Sequence, residues 1–363
     1  MKTKLMNLFA LVAVSSLAAC GGGGGSSAPP VATAPAPAPT PGPAPAPAPA
    51  PVGAINTTPP TPTYLMGSAQ YVAFTQLNNE RASCGFGYMK QSAVLDQAAQ
   101  DAGVYFLNRV AESFNAASLF IHLEDSAKSG YTGQLPQDRA AYRRYQGDFN
   151  QSDYIVNESL ATSSLKGSNP QADAVMANFL TSYLLSTVYH TATMMSPRTE
   201  VGVAFNRGAS SDGYDMGRVN FVVGKPAADI GQNSTAVRTY PCAGTTRVTA
   251  AFTPNTESPN PAPDLGANVV GTPIYVNGPE GQTITVASAT VVPTAGGTAV
   301  ANRVISYSTE AGFQKTGLHG TGLNEAWILP LTALVKATAY TVTISGTTNG
   351  TNFTTSISFT PSL

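Results

Sequence analysis

Charge is scarce in this protein: 11% of its 363 residues are Asp, Glu, Lys or Arg, and 19 basic residues face 20 acidic ones. Without a basic surplus there is no electrostatic case for nucleic acid as a partner. Histidine is scarcer still, with three residues, and there is one tryptophan. No His-Glu-x-x-His segment and no Gly-x-Ser-x-Gly elbow occurs, so neither the common zinc-peptidase helix nor a strained serine nucleophile is present. After the first twenty residues no apolar run is long enough to cross a bilayer as a helix.

The N-terminal end has what the rest lacks. Lys2 and Lys4 precede an apolar stretch from Leu5 to Leu17, which is followed by Leu17-Ala18-Ala19-Cys20. Positive charge, a short apolar run and small residues make a signal peptide, and Leu-Ala-Ala-Cys resembles the lipobox of bacterial lipoproteins. That resemblance implies cleavage before Cys20, residues 1–19 being removed, and lipidation of Cys20 by diacylglycerol and an amide-linked acyl group such as palmitate. Two attachments make physical sense, because one acyl group anchors only marginally. Gly21 rather than Asp follows the cysteine, which by the usual sorting rule points to the outer rather than the inner membrane. Residues 20–63, a glycine run and then Pro-Ala alternation, are expected to remain unfolded as a semi-rigid spacer rich in polyproline II. With Cys20 lipidated, Cys84 and Cys242 remain; outside the cytoplasm they read as one disulfide, the alternative being two free thiols.

The remaining three hundred residues fall into two halves of different character. In the first, 64–245, Tyr71, Phe74 and Leu77 recur at helical spacing before Cys84-Gly85 breaks the pattern. Leu95, Ala98, Ala102, Tyr105 and Arg109 outline a second helix. Val175, Phe179 and Tyr183 outline a third, while Val201–Phe205 and Val219–Val223 read as strands. The expected class is α+β. Residues 246–264, with Ser258-Pro259-Asn260-Pro261-Ala262-Pro263, read as a linker. Residues 265–363 carry short β-prone runs between Pro and Gly turns, as in a small all-β sandwich. Asp212-Gly213 and Asn349-Gly350 are hairpin dipeptides, and Trp327 is expected in the core. His319, in Gly317-Leu318-His319-Gly320, reads as a loop bystander.

From Leu77 to Phe221 the first half resembles the bacterial branch of the CAP superfamily, the SCP domain. The residues that carry the resemblance are Leu77-Asn78 with Arg81 and Gly85, Leu95 with Ala98-Ala99, Phe120-Ile121-His122, and Gly130-Tyr131-Thr132-Gly133 with Pro136 and Asp138-Arg139-Ala140. Asn157-Glu158-Ser159-Leu160-Ala161, Tyr189-His190, Ser196-Pro197 and Glu200-Val201-Gly202-Val203 continue it. It implies an α-β-α sandwich with His122, Glu158 and His190 in one cleft. The last half is similar to bacterial immunoglobulin-like modules through Tyr340-Thr341-Val342-Thr343 and Phe353–Phe359.

Two imidazoles and one carboxylate suit a divalent metal, zinc or magnesium, with open positions, and equally suit acid–base work. The sequence departs from the family's pattern where a second acid belongs: Phe179 matches the family's aromatic, and three residues later stands Ser182. Glu124 is the nearest other carboxylate to His122 in sequence. Glu158 has a plain structural alternative, pinning a loop through backbone N–H groups, and Asp138 with Arg139 reads as an ion pair or a helix start. The expected function is a lipid-anchored envelope module whose cleft binds a small molecule, a lipid, a protein or a metal; the alternative is a metal-assisted hydrolase using His122, Glu158 and His190.

Overall fold

The computed structural model describes residues 53–113, 122–147, 156–167, 171–310 and 320–363. Residues 1–52, with the expected leader, Cys20 and most of the expected spacer, lie outside these, as do Phe120, Ile121 and His319. The described residues belong to one compact unit.

The polypeptide enters along the surface of the first half. Gly53–Thr63, expected to be spacer, hydrogen-bonds to it: the Asn233 amide donates to the Gly53 carbonyl (3.2 Å), the Asn56 amide to Gln232 Oε1 (2.8 Å) and the Tyr88 amide to the Asn56 carbonyl (2.9 Å). Backbone groups that find fixed partners are held whatever the composition around them.

Helix α1 (Ala69–Ser83) starts on the Ser68 hydroxyl, which accepts from the Tyr71 amide, and ends at Gly85, whose φ of 76° suits glycine. Beneath its apolar stripe, Gln76, Asn78 and Arg81 are buried polar side chains. Asn78 pairs with both backbone groups of Met89. Arg81 is fully buried and donates to the carbonyls of Phe86, Gly87, Met194 and Ser196; burial, reinforced by Arg238 nearby, lowers its pKa to about 9. Arg81 thus ties α1 to the segment that follows His190.

The first sheet has the order β1-β3-β4-β2: β1 (Lys90–Gln91) runs parallel to β3 (Glu200–Ala209), while β4 (Asp215–Gly224) and β2 (Asn157–Leu165) are antiparallel additions. The two expected strands are present and longer than their β-branched centres, joined through Gly213 with φ 76°. Both faces are covered, and the alternation of side chains shows how. Val201, Val203, Phe205, Val219, Phe221 and Val223 pack with α1 and α4 (Asp173–Leu184). Ala204 and Val222, on the opposite face, pack with Leu95 and Ala99 of α2 (Ala93–Glu112) and with Ala140 of α3 (Pro136–Tyr142). Helix α2 lies very close: a Cβ on Gly202 would sit 2.0 Å from the Leu95 carbonyl carbon. Helix α5 (Tyr189–Met194) packs beside β2 on the α4 side.

The register of α4 corrects the sequence pattern. Val175 and Phe179 are 58% and 51% exposed, and the face turned inward is Met176, Ala177, Leu180, Thr181 and Leu184. Both stripes have helical period; the one with the small residues fits against α1.

The second half adds two antiparallel sheets, β5-β6-β9-β8 and β11-β10-β7. Their strands are β5 (Arg238–Tyr240), β6 (Ile274–Asn277), β7 (Ile284–Pro293), β8 (Asn302–Ser306), β9 (Glu325–Pro330), β10 (Tyr340–Thr348) and β11 (Thr351–Phe359). Asn349 and Gly350, both at positive φ, turn β10 into β11. The halves are not independent beads. Strand β5, from before the expected linker, pairs with β6, and Phe86 stacks on Tyr275, which packs on the fully buried Trp327. Segment 246–264 carries two 3-10 turns, Pro254–Thr256 and Pro263–Leu265, with Phe252, Glu257 and Ala262 buried. Cys84 and Cys242 form a disulfide across 158 residues. Closing a loop of that length contributes about 5 kcal/mol in the chain-entropy treatment. The overall class is α+β, as expected. Among the described residues no helix is long and apolar enough to cross a membrane.

Candidate functional site

Strand β2 is the edge of its sheet, and a cavity of about 120 Å³ opens along that edge. Leu160, Ala161 and Thr162 form its floor, with His122, Tyr183, Thr187, His190, Thr256, Glu257 and Ser258 around it. The two histidines reach it from opposite faces of the sheet: His122 lies with Glu158 and α3, and His190 stands in the first turn of α5 behind Ser159. Their rings meet with centroids 6.1 Å apart and planes inclined by 34°.

Each histidine is held at Nδ1 by a carboxylate. Glu158 Oε2 is 2.9 Å from His122 Nδ1 and 3.0 Å from an Arg139 guanidinium nitrogen. Burial alone raises the Glu158 pKa, but Arg139, the His122 hydrogen bond and Arg218 outweigh it and leave it at about 2. Glu158 is therefore an acceptor only, and His122 Nδ1 must carry the hydrogen. Burial lowers the His122 pKa against the pull of Glu158, so the ring is neutral near pH 7 and Nε2 keeps a lone pair.

The second pair has no counterpart among the residues expected from the sequence. Glu257, from the segment expected to be a linker, puts Oε1 2.8 Å from His190 Nδ1. The same carboxylate accepts from the backbone amides of Val188 (2.9 Å), Tyr189 (2.9 Å) and His190 (3.2 Å). The Thr187 hydroxyl donates to the Leu184 carbonyl (2.9 Å) and stands 3.2 Å from the same Nδ1. With acceptors on both sides, Nδ1 of His190 is also the protonated nitrogen. In its neutral form each imidazole thus has Nε2 as the acceptor, and no hydrogen bond to it is made among the described residues, the arrangement found behind metal-ligating and proton-accepting histidines.

The site residues expected from the sequence divide accordingly. His122 and His190 are brought together. Glu158 is not a third group facing the cavity: its side chain is wholly buried and bonded to His122 and Arg139. Glu124 does not compensate, since it accepts from the Thr132 amide and lies 3.6 Å from the other side of Arg139. Asp138 accepts from the Leu135 amide and so marks the start of α3, while Arg139 is the central cation of the cluster. Ser182 is buried away from the cavity and accepts from Gln76 (2.6 Å); Tyr183, one residue on, lines it instead. No local signal marks Glu257, which stands among Thr, Asn, Ser and Pro. Among the described residues no cluster of three or more His, Cys, Asp or Glu side chains is arranged around one point as a full ligand set. Compared with models of known protein families and with curated protein sequences, the protein matches none.

Proposed function

We propose that the cleft binds a small ligand together with a divalent metal ion, in an exported, lipid-anchored module of CAP-like architecture with an immunoglobulin-like second half. One observation carries the reading: two imidazoles from opposite faces of a sheet meet over its edge, each held at Nδ1 by a carboxylate so that Nε2 is the acceptor of the neutral ring. A zinc ion bonds nitrogen at about 2 Å, which on a tetrahedral ion puts two ring centroids about 5 Å apart. The observed 6.1 Å needs a closure of about 1 Å. Two nitrogens alone make an exchangeable site, so donor atoms of the ligand or water complete the coordination. The leader and lipobox support export, and the Cys84–Cys242 disulfide fits an oxidising compartment.

Zinc and magnesium calorimetry on the purified protein tests this. His122→Ala and His190→Ala are each expected to weaken zinc binding at least about tenfold while leaving the melting transition in place. Absence of a binding heat for either metal in the unsubstituted protein would remove the metal. The same free Nε2 lone pairs favour a second reading, metal-assisted hydrolysis, with a histidine as base. Hydrolysis of an ester or peptide library that His122→Ala abolishes would establish it over simple binding.

A further inference from the structure

We infer that Glu257 is the positioning residue of the cleft: from a segment beyond the first half, it sets the tautomer and orientation of His190. The inference deepens the metal-binding reading above and rests on it for its functional consequence only.

Four donors converge on this carboxylate. Three are backbone amides at the start of α5, and the fourth is His190 Nδ1. The residue is 4% exposed, so the carboxylate has little water to turn to. Backbone amides can only donate, so both oxygens are committed as acceptors and the imidazole must donate as well. The neutral ring is then fixed as the Nδ1–H tautomer.

The surroundings make the contact a wall rather than a passing touch. Tyr183 donates to the Thr256 hydroxyl (2.7 Å), and Thr256 and Ser258 line the cavity on either side of Glu257. A second carboxylate from the C-terminal half, Glu310, acts electrostatically on the Tyr189 hydroxyl next to His190 and is itself held by the amides of Gly320 and Thr321. The element bearing His190 is therefore bonded by a carboxylate from beyond the first half. The cleft is complete only when the residues beyond the first half are folded onto it, and a protein ending near residue 245 would lack one of the two histidine–carboxylate pairs.

The test uses the full-length protein labelled with 15N-histidine. Long-range imidazole spectra at pH 7.5 report the tautomer of each ring, and zinc titration reports affinity. In the unsubstituted protein His190 is expected as the Nδ1–H form. Glu257→Gln presents an amide where a carboxylate stood; His190 is expected to shift toward Nε2–H while His122, held by Glu158, keeps its signals. Zinc affinity should fall by about 10–100-fold, the usual cost of losing such a supporting hydrogen bond. An unchanged His190 tautomer in a folded Glu257→Gln protein would overturn the inference. Should that variant fail to fold, Glu257→Asp, which keeps the charge and withdraws the oxygens by one methylene, is read out in the same way. A tautomer shift without zinc uptake in the parent protein would leave the positioning role standing and refute the metal reading. Zinc uptake with neither tautomer nor affinity altered in the variant would do the reverse.

Discussion

Replacing Arg139 with methionine is the sharpest perturbation of the buried charge cluster behind His122. Arg139 lies between Glu158 and Glu124, and all three side chains are almost wholly inaccessible. Removing the cation while leaving the carboxylates in place is expected to cost about 3–5 kcal/mol at neutral pH. The pH dependence discriminates this from lost packing. In the parent protein the Glu158 pKa falls from the usual 4.5 to about 2, equivalent to about 3 kcal/mol. Since the folded value lies below the unfolded one, that stability is present in full above about pH 4.5 and disappears as the pH falls toward 2. In Arg139→Met, burial is opposed only by His122 and Arg218, so Glu158 takes up its proton at higher pH and its penalty is relieved by acid. The stability gap between the two proteins should therefore be widest at pH 7 and narrow steadily between about pH 5 and 2. Urea unfolding followed by Trp327, the only tryptophan and fully buried, measures both curves. A gap that is constant with pH, or below about 1 kcal/mol at pH 7, would refute the assignment of Arg139 as the counter-ion of Glu158.

Two further substitutions examine the frame around the site. Gly202→Ala would place a Cβ against the backbone of Leu95 and Asp96 at 2.0–2.2 Å, and since backbone, unlike the end of a flexible side group, is unable to swing aside, α2 must lift from the sheet; a loss of about 3 kcal/mol or more is expected by thermal denaturation, and an unshifted melting temperature would contradict the close approach. On α4, Phe179→Ser should change stability by no more than about 0.5 kcal/mol, while Leu180→Ala should cost about 2–5 kcal/mol; the opposite ranking in urea would mean that the helix is rotated from the register described.

Local features were legible because their causes are local. Gly85 ends α1, and Asp212-Gly213 and Asn349-Gly350 turn hairpins, since positive φ is a requirement of the turn itself. The β-branched runs at Val201–Phe205 and Val219–Val223 are strand centres for the same kind of reason. The pairing of Cys84 with Cys242 followed from counting, once Cys20 is assigned to lipid. The resemblance implied one cleft for His122, Glu158 and His190; the two histidines line one cavity and Glu158 lies behind His122.

What the tertiary structure decided are the matters in which two segments must meet. Apolar period cannot say which of two stripes on α4 turns inward, because Val175–Phe179–Tyr183 and Met176–Leu180–Leu184 repeat equally well; the shape of α1 chooses. Glu158 carries an attractive charge wherever it lies, and only its closeness to Arg139 turns it from a ligand facing the cavity into a support behind His122. Glu257 is separated from His190 by 67 residues and sits among prolines. Its role comes from burial: a carboxylate taken out of water must find donors, and the start of α5 supplies backbone amides together with an imidazole.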